Sequence, residues 1–182
     1  AKDFLLRLEY LTENGIVNDI VLDFQNHTLR GNGDGTGIFA ENVNLTIMNA
    51  RIENFENGLV FRGPPRDDGI SYLYDLYIST FTVVNNKNNG VQISGARIHC
   101  PAPALPPAEN RPCIQAENNE GNGILIENTK CPLIGTLMGL QCIIVNIMVR
   151  NNRNSGLVIE QSSGISVSDI TSDPNENGVV IK

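Results

Sequence analysis

A glycine-led phrase recurs along this chain, and its spacing restricts the fold more than any other feature. Each copy opens a short alternating apolar strand. The glycines are Gly37 (TGIFAEN), Gly58 (NGLVFRG), Gly90 (NGVQISG), Gly123 (NGILIEN), Gly156 (SGLVIEQ) and Gly178 (NGVVIK), at successive gaps of 21, 32, 33, 33 and 22 residues. The short gaps define a unit of about 22 residues, and the long gaps fit that unit with about ten residues inserted. Ile38 and Ala40 share one side of their strand, as do Leu59 and Phe61, Val91 and Ile93, Ile124 and Ile126, Leu157 and Ile159, and Val179 and Ile181. Period two of this kind marks a strand with one buried face.

The rest of each unit also reads as strand, as in VNLTIMNARIEN, YLYDLYISTFTVV and GISVSDI. A strand-only unit with no crossover helix closes on itself as a coil, and coils stack as parallel strands about 4.8 Å apart. The expected fold is all-β, a parallel β-helix of about six coils. The chain reads as one domain, 1–182, with coils over 16–182 and inserted loops near 62–70, 95–113 and 128–142. An antiparallel sandwich is the competing arrangement. Residues 1–15 read as an N-terminal cap, a short amphipathic helix with Asp3 as N-cap and Phe4, Leu5, Leu8 and Leu11 on one side. A first strand is the rival reading there. No cap follows the last strand, which leaves that end to a partner or to a longer protein.

Paired asparagines recur at 33-residue intervals: Asn85 and Asn86, Asn118 and Asn119, Asn151 and Asn152. In stacked coils they lie above one another. Asparagine tolerates the left-handed backbone of a sharp turn, and its amide can both donate and accept. A ladder of three amides is expected, with Asn119 in the middle and least replaceable.

Net charge is −7 and there is no tryptophan. An acidic chain is a poor partner for nucleic acid. No apolar run approaches the roughly 20 residues of a membrane-spanning helix. Cys100 and Cys113 bracket a proline-rich segment, and Cys131 and Cys142 bracket another insertion. An even count in a small domain suggests disulfides, with three connectivities open, and four buried thiols are the alternative. No C-x-x-C pair suggests zinc. The triplets beginning at Asn26 and Asn44 match the glycosylation acceptor pattern at a frequency chance explains in so asparagine-rich a chain.

Residues 20–61, with LDFQNHTLRG and the rhythm N-x-I-x-N-x-x-x-G-[ILV], resemble the opening coils of the pectate-lyase-like superfamily. That resemblance implies a right-handed β-helix and an extracellular or periplasmic protein. It implies recognition of polysaccharide, with lyase, hydrolase or epimerase activity in many members and none in others. The alternative class is a non-catalytic structural, adhesive or assembly module.

The strongest chemical candidate is the insertion FRGPPRDDG. Asp67 and Asp68, with Arg66, are the candidate catalytic group, and the two carboxylates are candidate calcium ligands. The pattern requires no cofactor. Arg62 can neutralise an acidic sugar, and Lys87, Glu117 and Arg150 fall at stacking positions that outline a charged groove. A polar turn and a solvated ladder of ion pairs explain the same residues without function. The outward positions of the glycine-led strands are apolar: Phe39, Val60, Leu125, Val158 and Val180, interrupted by Gln92. A stripe of this kind is covered or binds something. A homo-oligomer contact is the first expectation, a folded-back loop the second, a ligand surface the third. His27 and His99 have no sequence partner and read as structural. GNGDGTG lacks the lysine and helix of a phosphate loop and reads as a turn.

Overall fold

The structure is a computed structural model that describes residues 6–9, 19–63, 74–100, 112–131 and 142–182. These form fifteen strands and no helix. The first eight are β1 (Leu6–Glu9), β2 (Asp19–Asp23), β3 (Thr28–Arg30), β4 (Thr36–Glu41), β5 (Asn44–Glu53), β6 (Asn57–Arg62), β7 (Tyr74–Val84) and β8 (Val91–Ser94). The remainder are β9 (Ala96–Cys100), β10 (Ile114–Glu117), β11 (Ile124–Glu127), β12 (Cys142–Arg150), β13 (Ser155–Glu160), β14 (Ile165–Ser172) and β15 (Asn177–Ile181). No helix among them is long and apolar enough to cross a membrane.

Two sheets result. One has seven strands in the order β1-β4-β6-β8-β11-β13-β15, and these include all six glycine-led strands. The other has eight, with β2, β5, β7, β9, β10, β12 and β14 stacked in turn and β3 beside β5. Every pairing is parallel, and the chain alternates between the sheets. The short helix anticipated near the N-terminus is not seen: Leu6–Glu9 is a strand in parallel register with Ile38–Glu41. Edge pairing satisfies backbone groups that a helix there would have left at the edge of β4.

Inward residues meet between the sheets. Ile38, Leu59, Val91, Ile124 and Leu157 are in register and buried. Each contributes on the order of 1.5–3 kcal/mol by leaving water. The glycine that precedes each of these strands is set by close approach. A Cβ on Gly90 would lie 2.7 Å from the Gly123 carbonyl oxygen, and one on Gly123 the same distance from that of Gly156. Those are clashes with backbone, which cannot move aside.

The eight-stranded sheet is not flat. Asn49, Thr80, Asn146 and Asp169 sit inside long strands with φ of 53–55°. Each bends its strand once and shifts the alternation by one residue. In β5, Leu45 and Ile47 are buried before the bend, and Ala50 and Ile52 after it. In β7 the corresponding residues are Leu76 and Ile78, then Phe81 and Val83. The left-handed residue lets both halves face one core.

At the corner after this sheet, Asn85, Asn118 and Asn151 all have φ of 54–56°. The following asparagines, Asn86, Asn119 and Asn152, are buried to 0%, 1% and 2% exposure. Asn86 donates from Nδ2 to Asn119 Oδ1 at 2.9 Å, and Asn119 does the same to Asn152 at 2.8 Å. The backbone N–H groups of Asn86 and Asn119 bond the same oxygens at 3.1 Å. The ladder extends one step further than expected, since Asn152 bonds Asn175 Oδ1 through both N (2.9 Å) and Nδ2 (3.0 Å). At the other end Asn86 Oδ1 accepts from Phe55 N. A second column runs with opposite polarity: Asn122 bonds Asn89 Oδ1, and Ser155 N bonds Asn122 Oδ1.

Both disulfides close insertions, Cys100 with Cys113 and Cys131 with Cys142, each with Cα atoms 5.9 Å apart. β9 and β10 lie end to end between β7 and β12, so the first insertion leaves one strand and returns to it. The disulfide holds the exit and return at strand distance.

Replacing Asn119 or Asn152 by Ala strands buried donors at about 1–3 kcal/mol for each unpaired group. We predict that each variant loses at least ~2 kcal/mol in urea unfolding, and that Asn175→Ala, at the outer end, loses less. Equal stability of Asn119→Ala and the parent would refute the ladder.

Candidate functional site

The polar chemistry of the described residues gathers on the outer surface of the eight-stranded sheet. In β7, Leu76 and Ile78 point inward, which turns Asp75, Tyr77 and Ser79 outward. In β9 the same alternation turns Arg97 and His99 outward. Register then places Asp75 beside Arg97 and Tyr77 beside His99. Arg97 donates to Asp75 through Nε and, at 2.6 Å, through Nη2. His99 Nε2 lies 2.9 Å from Asp75 Oδ1. An ionised carboxylate only accepts, so Nε2 carries the hydrogen of this bond. The Tyr77 and His99 rings stack with centroids 4.4 Å apart and planes 12° from parallel. Asn44 continues the network, accepting from Asp75 N and donating to Asp19, both at 2.8 Å.

Burial pushes the Asp75 carboxyl up, but the hydrogen bonds and charges of Arg97 and His99 outweigh it and hold the group below its ordinary range. The hydrogen bond to Asp75 raises Arg97 in turn.

Beyond the bend lies a groove of about 320 Å³, lined by Asn26, Asn49, Ala50, Arg51, Thr80, Thr82, Pro112 and Gln115. Its residues have two origins. Asn26, Asn49 and Thr80 are left-handed residues at the fold line, with φ of 64°, 54° and 53°. Arg51, Thr82 and Gln115 are in register as the first outward residues after it. Asn49 Nδ2 is held by Asp23 and Gln115 Nε2 by Glu117, which leaves both amide oxygens as acceptors. Arg51 Nε is held by Glu53 at 2.8 Å, which leaves its terminal nitrogens as donors. Two hydroxyls and the Pro112 ring complete a lining suited to an uncharged polyhydroxylated molecule.

The residues anticipated from sequence do not form one site. Arg66, Asp67 and Asp68 lie outside the described residues. Arg62 ends β6 and its guanidinium sits 5.5 Å from the Phe39 ring centroid. Lys87 pairs with Asp34 at 3.2 Å, in the glycine-rich turn. Glu117 and Arg150 stack as expected, in register and ion-paired. Arg62 is thus separated from the other three by the length of a glycine-led strand. The apolar outward stripe is already shielded within the chain: Val60 and Val158 are 4% and 5% exposed, and Phe39, Leu125 and Val180 are half-buried. Among the described residues, no group of three or more His, Cys, Asp or Glu side chains is placed to hold a metal ion. His99, read as structural, belongs to the ionisable cluster around Asp75. The available signal was D-x-Y in one unit and R-x-H in the next.

No family model, no curated protein and no solved structure matches this chain.

The lowered Asp75 sets a pH dependence. A carboxyl whose folded value is depressed contributes stability above its unfolded value, and the contribution is lost as pH falls through the folded value. Asp75→Asn is therefore predicted to cost roughly 1.5–3 kcal/mol at neutral pH, the range for hydrogen bonds to a charged group. The difference from the parent should shrink steadily below about pH 4, where the unfolded carboxyl protonates. Denaturant unfolding at several pH values measures both, and a pH-independent difference would contradict the assignment.

Proposed function

We propose that the chain is a right-handed parallel β-helix of about six coils that recognises polysaccharide outside the cytoplasm. The groove at the bend of the eight-stranded sheet carries this reading. Its amide oxygens, hydroxyls and guanidinium offer acceptors and donors in one concavity, and Pro112 offers apolar contact for the C–H face of a sugar. Alternation of the chain between two parallel sheets supports the coiled architecture. So does the resemblance of residues 20–61 to the pectate-lyase-like superfamily. Two disulfides support an oxidising compartment.

Titration calorimetry against neutral and acidic oligosaccharides tests the proposal, with reducing-end and unsaturated-product assays, with and without calcium, reporting any turnover. At least one series should bind. Arg51→Ala and Gln115→Ala should each weaken binding about three- to tenfold, the worth of one net hydrogen bond. Absence of binding across the panel would overturn the reading.

A further inference from the structure

We propose that the outward surface of β2, β5 and β7 holds an open slot for one pyranose ring, walled on one side by Tyr77 and floored by Thr46 and Val21. The proposal rests on the glycan reading above and specifies how that glycan continues past the groove. Val21, Thr46, Tyr77, His99 and Ile143 are in register on five successive strands. Val21, Tyr77 and Ile143 are 61%, 42% and 45% exposed. Large apolar side chains on the solvated face of a sheet are unusual, and here three share one column.

The Tyr77–His99 stack orients the slot. Its 4.4 Å centroid separation is close to the spacing of neighbouring strands, so the ring normals run along the direction of strand stacking. His99 covers one face of Tyr77. The other face looks out over Thr46 and, one strand further, Val21, two side chains of equal reach, shorter than the tyrosine's, that form a step about 9–10 Å wide beside the ring. A ring making carbon contacts of about 3.5–4 Å with Tyr77 stands on that step.

The chemistry of the slot selects a sugar. The negative face of the tyrosine ring attracts the polarised C–H bonds of a pyranose, and Val21 meets the sugar ring's lower edge. The Thr46 hydroxyl bonds the hydroxyl rim. A second protein chain is a poor fit, because so few side chains fall far short of the surface a stable interface buries. Asp75 fixes His99, and His99 fixes Tyr77, so the wall is set before the ligand arrives. The slot and the groove share strands: Thr46 precedes Asn49 by three residues on β5, and Tyr77 precedes Thr80 by three on β7, roughly 10 Å at strand rise. One oligosaccharide can lie across both.

The test uses mono- to hexasaccharides of a neutral β-glucan and of polygalacturonate. Affinity is read by calorimetry and the Tyr77 ring resonances by NMR. Tyr77→Ala should weaken the longer members about three- to tenfold, and Tyr77→Phe, which keeps the ring, should restore them. If Arg51→Ala weakens binding while Tyr77→Ala leaves every length unchanged, the slot is wrong and the groove stands. If the parent binds no member, both readings fall. Should Tyr77→Ala not fold, the parent decides: ring resonances that shift at saturation support the slot, and unmoved ones overturn it.

Discussion

Parallel pairing is the constraint on which the rest of this structure depends. A parallel strand can satisfy its backbone only if its neighbours in the stack repeat its path, corner for corner. Any drift in a corner would unpair every residue after it. The chain meets this demand with left-handed residues at recurring positions. Asn54, Asn85, Asn118 and Asn151 occupy one corner; Asn42, Gly95, Asn128 and Gln161 occupy another. The corner that follows the eight-stranded sheet also leaves backbone N–H groups pointing along the stack, where no strand partner reaches them. The buried amides of Asn86, Asn119, Asn152 and Asn175 accept those bonds. This explains why asparagine rather than an apolar residue fills positions 86, 119 and 152, which are almost wholly excluded from water. An unpaired N–H there would cost more than the burial of an amide whose bonds are made.

The same constraint decides where the chain tolerates extra residues. An insertion within a strand has to return to its starting line. Cys100 and Cys113 make that return local, joining the two halves of what would otherwise be one strand between β7 and β12. The pairing Cys131–Cys142 does the same between the end of the glycine-led segment and the start of β12.

Function, in the reading proposed here, uses what the constraint leaves over. Inward positions are committed to the core, and corner positions to turns. The outward residues of the bent sheet are held in fixed register at strand spacing, and they include Asp75, Tyr77, Arg97 and His99. Asp75 gains Arg97 and His99 as partners only because parallel register sets them on adjacent strands. The groove exists because the bend turns Asn49 and Thr80 outward beside Arg51 and Thr82.

Much of the framework could be read from residue types, because it is periodic within each unit. The glycine phrase marked all six of its strands, and Asn85–Asn86 with its repeats located the ladder. Alternation picked out the inward buried residues of the first five strands but not of the sixth, where Val179 and Ile181 are 43% and 76% exposed. The cysteines that bracket insertions proved to be paired with each other. Other features had no local mark. The bend falls on Asn49, Thr80, Asn146 and Asp169, four positions with three residue types between them, and shows only as a one-residue slip in alternation. Asn175 escaped notice because Pro174 stands where the other rungs have a left-handed asparagine, and because its spacing from Asn152 is 23 rather than 33 residues. The cluster around Asp75 was invisible for a different reason. Side-chain type sets which face of a strand is buried, and that is a local property. Which outward residues become neighbours depends on register between strands some 22 residues apart, and only the stacked chain sets that register.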